Sequence, residues 1–204
     1  MHGNIFKRFA ARFGPNRERE LNLLRIVENT SWAEKYPNVP KPEPKLSVRL
    51  LAAQWSCNDL RAEQMPSLAA DLLEAGHDSP ALRRLAGEMR VACSADVEDL
   101  VGKMFREFCI PYPLTEIEAK LIVTRQIARE VIAGERDAVR AGTHLEMIIW
   151  HWNRLPDDVA TLFALNDEMS WDDEYQRYLP VIAEQMLDAF ARLATMTDEQ
   201  IFSA

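Results

Sequence analysis

The chain has 204 residues, 48% of them apolar and 27% charged, with a formal charge of -8 and seven glycines. That length suits one domain, or one domain with a small appendage, and it supplies enough apolar side chain for a core without a metal or disulfide staple. No apolar run approaches the roughly 20 residues that cross a bilayer, and an acidic balance argues against general nucleic-acid binding, which needs cations to neutralise phosphate.

The charge is unevenly placed. The first 25 residues carry Lys7, Arg8, Arg12, Arg17, Arg19 and Arg25 against Glu18 and Glu20, a balance of +4. With a total of -8, the other 179 residues carry -12. Within this basic head, residues 4–13 predict a short amphipathic helix. Ile5, Phe6, Phe9 and Phe13 fall near one side, and Gly14-Pro15 stops it. Its apolar stretch is broken by Lys7, Arg8 and Arg12, which does not make a secretory signal. A second short helix is expected over residues 17–27.

Pro37, Pro40, Pro42 and Pro44 follow within eight residues. Missing backbone donors at alternating positions forbid helix and central strand alike, so an extended linker or strap is expected. The organisation read from this is a basic helical segment over 1–30, a proline-rich strap over 31–45 and an all-helical domain over 46–204.

From residue 46 the pattern is helix after helix. Val48 to Trp55 is apolar at helical spacing. Pro66 suits the first turn of a helix ending before Gly76, and Ser79-Pro80 caps and opens the next. Ser94 or Asp96 opens a helix whose buried stripe is Val97, Leu100, Val101, Met104, Phe105 and Phe108, ended by Pro111 and Pro113. Thr115 with Glu118 forms a capping box for a helix that stops at Gly134. Further helices are expected over 140–155, from Pro156 through Leu165, and over 172–194, the last kinked or divided at Pro180. No period-two strand or fixed repeat is evident. The fold class is therefore all-α, a multi-helix bundle or irregular stacked helical hairpins.

Met65 to Glu88, MPSLAADLLEAGHDSPALRRLAGE, resembles a segment common in uncharacterised helical bacterial proteins. Ile127 to Gly142 is similar to a stretch that follows it there, although the proline usual after the Gly-Glu turn is missing at Ala138. The two cover about a fifth of the chain. The resemblance implies a helical fold, a bacterial source and an accessory or immunity-like role. It supplies no catalytic residues.

Cys57, Cys93 and Cys109 are widely spaced, odd in number and form no CxxC, which reads as reduced, buried thiols in a cytoplasmic protein. His144 and His151 lie seven apart, roughly 10 Å along a helix at 1.5 Å per residue. A helical zinc pair uses a spacing of four, so they do not share one metal, and no metal or other cofactor is expected. His77, at a helix end, is expected to contact the last carbonyls. In Trp150-His151-Trp152, the two indoles point about 160° apart around a helix. One belongs to the core and the other meets a second buried surface or a partner.

Asp167 to Tyr178 holds five acids and three aromatics in twelve residues. Acids at the first turn of a helix favour its positive end, which by itself explains Asp172, Asp173 and Glu174. The sharper reading is a recognition patch for a basic protein, in which acids steer and Trp171, Tyr175 and Tyr178 give apolar contact. No dinucleotide, P-loop, nucleophile-elbow or calcium-loop motif is present.

The leading expectation is a non-enzymatic protein-binding module that occludes a basic partner through Trp171, Asp172, Asp173, Tyr175 and Tyr178. A second is a small-ligand protein or enzyme with a pocket near His144, His151 and Trp150. A third is a self-assembling protein, or one weakly held at a membrane surface, working through Ile5, Phe6, Phe9 and Phe13.

Overall fold

The computed structural model describes residues 32–149, 157–168 and 179–197, whose regular elements are all helices, with no strand among the described residues. The helices are α1 (Trp32–Lys35), α2 (Val48–Ser56), α3 (Met65–Glu74), α4 (Pro80–Ala86), α5 (Glu98–Glu107), α6 (Glu116–Ile132), α7 (Ala138–Ile149), α8 (Asp157–Glu168) and α9 (Leu179–Thr195). Single 3-10 turns at Ala62–Gln64 and Ser94–Asp96 lead into α3 and α5. The fold is all-α.

Local sequence sets where the helices begin. Ser47 and Ser79 accept hydrogen bonds from Leu50 N and Leu82 N, the capping geometry that satisfies free helix donors. Thr115 and Glu118 form the reciprocal capping box: the Thr115 amide donates to the Glu118 carboxylate, and the Glu118 amide donates to the Thr115 hydroxyl. Pro66 and Pro80 stand in first turns, where a missing N–H does no harm. Pro180 is the second residue of α9 as described, and the expected start of that helix at Asp172 lies outside the described residues.

The ends share one device. After α2, α3, α5 and α6 the chain turns through a left-handed residue, at Asn58, Gly76, Cys109 and Gly134. In each case the next amide reaches back to the third-last carbonyl of the helix. These bonds are Asp59 N to Gln54 O, His77 N to Leu72 O, Ile110 N to Phe105 O and Glu135 N to Glu130 O, all 2.8–3.0 Å. His77 thus meets α3 through its backbone, while its ring stands edge-on to Phe108 with centroids 5.7 Å apart. The expected contact with the last carbonyls of that helix is the one its amide makes to Leu72.

By its internal contacts the chain divides into two compact units, one of residues 42–127 and 147–151, the other of 1–41, 128–146 and 152–204. In the first, α2 to α5 enclose a core of Leu51, Trp55, Met65, Leu72, Leu82, Leu85, Val101, Met104 and Phe105. Gln126, buried in α6, clamps the strap: Glu43 N donates to its Oε1 at 2.8 Å, and its Nε2 donates to Glu43 O at 3.0 Å. A side-chain amide offers one donor and one acceptor, which matches a backbone unit that has no ladder or helix partner.

In the second unit α8 and α9 pack together, with Val159, Leu162, Leu165, Met186, Leu187, Phe190 and Leu193 buried. The start of the strap is tied to α9. Lys35 Nζ meets Glu184 Oε1 at 2.8 Å, and the Tyr36 hydroxyl donates to Asp188. The Glu184 hydrogen bond raises the Lys35 pKa, and burial followed by the Asp188 hydrogen bond raises that of Tyr36.

The cysteines are free thiols, but not buried as expected. Cys57 is half-buried, and Cys93 and Cys109 are exposed. The two exposed residues sit in connections, Cys109 in the left-handed turn after α5 and Cys93 before a 3-10 turn.

Candidate functional site

The first unit carries a cleft of about 490 Å³ built from three separated stretches of chain. The end of α2 and its left-handed turn supply Trp55, Ser56 and Asn58, and the following segment supplies Leu60, Arg61 and Glu63. Cys93, Ser94 and Glu98 come from the turn that opens α5 and from its first residue. Tyr112, Pro113 and Leu114 come from the connection that follows α5, where the Tyr112–Pro113 peptide is cis.

Tyr112 organises the floor. Its hydroxyl accepts a hydrogen bond from Trp55 Nε1 at 3.0 Å and donates one to Glu98 Oε1. Its ring lies on Phe105, centroids 5.3 Å apart and tilted by 39°. Both polar capacities of the hydroxyl are used, so the aromatic floor is fixed in orientation. Burial, then the donation to Glu98, push the Tyr112 pKa up to about 12, so the phenol is neutral at ordinary pH.

Ser56 Oγ is buried beside this floor with no hydrogen-bond partner in the structure. Arg61 and Glu63 line the exposed rim, and neither takes part in an ion pair among the described residues. Glu98 uses one carboxylate oxygen on Tyr112. Next to the cleft, burial pushes the Cys57 thiol up to about 11, which leaves it protonated and a poor nucleophile. The arrangement offers a fixed aromatic base and both signs of charge at the rim. It is suited to holding a polar ligand.

Of the sequence-nominated residues, His144 is described. Arg136 Nη2 lies 3.0 Å from its Nδ1, and Arg136 Nη1 pairs with Glu130 Oε2 at 3.2 Å. The histidine therefore belongs to a Glu130–Arg136–His144 chain, and the described pocket is lined by other residues. His151 and Trp150 lie outside the described residues. So do Trp171, Asp172, Asp173, Tyr175 and Tyr178, and Ile5, Phe6, Phe9 and Phe13 of the head. Among the described residues no three His, Cys, Asp or Glu side chains gather to hold a metal ion, and no helix is long and apolar enough to cross a membrane.

The cleft was not legible in the sequence, because its residues come from three separate stretches, 55–63, 93–98 and 112–114. The one local hint was Gly102, a glycine in the middle of a strongly amphipathic helix, where the backbone leaves room for a neighbour. No protein-family model, curated protein or solved structure matches the chain. The functional reading rests on its own residues.

Proposed function

We propose that this chain is a non-catalytic protein-binding module that covers a basic partner, with an acidic-aromatic surface as the contact. The observation that carries this is where the negative charge sits. Residues 128–204 hold fifteen Asp and Glu against six Lys and Arg, the most acidic part of the chain. Much of that stretch forms α8 and α9, which pack on each other. The segment joining these two helices in the chain carries Trp171, Asp172, Asp173, Tyr175 and Tyr178.

Acids of one sign speed and orient the approach of a cationic protein, while aromatics supply the desolvated contact that holds it. An accessory or immunity-like role in a bacterial cytoplasm fits such occlusion, as does the resemblance of residues 65–88 and 127–142. The test is charge reversal, Asp172→Lys with Asp173→Lys. Capture of the basic partner should weaken, and wild-type capture should fall with rising salt. Capture unchanged by both treatments sinks the site assignment.

A further inference from the structure

We propose that the cleft on Trp55 and Tyr112 is a separate binding site for a zwitterionic small ligand, a short peptide with free ammonium and carboxylate ends, held between Arg61 and the carboxylates of Glu63 and Glu98. The site lies in residues 55–114, apart from the segment assigned to the protein partner, and stands or falls independently of it.

The rim selects the ligand class by charge. Arg61 is a fixed cation with a planar fork of donors suited to a carboxylate. Glu63 and Glu98 bring two anions to the same opening. A purely anionic ligand that pairs with Arg61 meets both carboxylates, and a purely cationic one meets the guanidinium. A molecule carrying one charge of each sign satisfies all three. Arg61 and Glu63 have no ion pairs to break first.

Size and lining set the rest. About 490 Å³ lies in the ordinary range of small-molecule sites and exceeds what one small amino acid fills. The exposed side chains of Arg61 and Glu63 give polar contacts at the opening for a ligand's main chain and termini. Leu60 and Leu114 give apolar wall for side chains, and the Trp55–Tyr112–Glu98 chain holds the floor in place before binding. Peptides offer this alternation of amide, side chain and terminal charge.

The test uses full-length ¹⁵N-labelled protein and three probes: a random tripeptide mixture with free ends, the same mixture N-acetylated, and the same mixture C-amidated. The reporter is the indole N–H resonance of Trp55, which is hydrogen-bonded to Tyr112 on the cleft floor. Free-ended tripeptides should shift it, and either cap should weaken the response about tenfold. Arg61→Gln should abolish the penalty for amidation alone, and Glu63→Gln should reduce the penalty for acetylation. Both are exposed positions, and an unchanged Trp55 resonance without ligand confirms that each variant keeps its floor. No shift with millimolar free-ended tripeptides, or equal shifts with capped ones, overturns the proposal.

Discussion

A Cβ added to Gly102 would stand 3.1 Å from Cε1 of Tyr112 and 3.3 Å from its Cδ1. The absent side chain in the middle of α5 is what lets the Tyr112 ring lie down on that helix and form the cleft floor. Replacing a mid-helix glycine by alanine ordinarily adds about 1 kcal/mol. Here the neighbour is a ring held at its hydroxyl by Trp55 and Glu98, so it yields poorly. Gly102→Ala should therefore lose the usual gain and shift the Trp55 indole resonance. In a Tyr112→Ala background the same change should stabilise by about 1 kcal/mol. Denaturant midpoints of the four proteins check this, and equal effects in both backgrounds would show that ring and glycine are not coupled.

Cys109 takes the left-handed position after α5 with φ 58°, the place that glycine fills after α3 and α6. A left-handed residue with a Cβ is disfavoured by about 1–2 kcal/mol. Cys109→Gly should raise stability by roughly 1 kcal/mol, less the added entropy of the unfolded glycine. Cys109→Ala should bring no gain. The converse holds at Gly134, at φ 75° with open space around it, where alanine should destabilise by about 1 kcal/mol through backbone strain alone. Urea unfolding of the three variants measures each.

Gln126 is 4% exposed and makes both of its strap bonds to one residue, Glu43. Gln126→Leu should destabilise by about 1–3 kcal/mol, because the amide and carbonyl of Glu43 lose their partners. Hydrogen exchange at the Glu43 amide should rise before exchange in α2 does. Unchanged protection of that amide would show that the clamp does not hold the strap.

Tyr112 is raised in the folded state to about 12, chiefly by burial. A raised acid favours the folded chain while protonated. Its contribution is complete below the unfolded value of about 10 and disappears as pH rises from there toward 12. Tyr112→Phe should flatten this part of the alkaline stability curve. Cys57 and Tyr36, also raised, leave a remainder in the same region. An identical slope in wild type and Tyr112→Phe would refute the assignment.

Three helix starts were legible because each has a local chemical mark. Ser79, Thr115 with Glu118, and Pro66 act within three residues of themselves, and all stand where their sequence context put them. The stripe of α5 was equally plain: Val97, Leu100, Val101, Met104 and Phe105 are all buried, with Phe108 partly so. Two of the left-handed turns were marked by Gly76 and Gly134, whereas Asn58 and Cys109 make the same turn without announcing it. The cleft depended on Trp55, Glu98 and Tyr112 meeting through tertiary packing, which no single window of sequence contains.

The most direct test of the central claim is a pull-down from the lysate of the chain's own host, with full-length protein, protein lacking residues 1–19, and the Asp172→Lys, Asp173→Lys variant, read by quantitative mass spectrometry. One stoichiometric basic protein is expected, retained without the head and depleted by charge reversal. Absence of any such protein, or equal recovery on the charge-reversed variant, would contradict it.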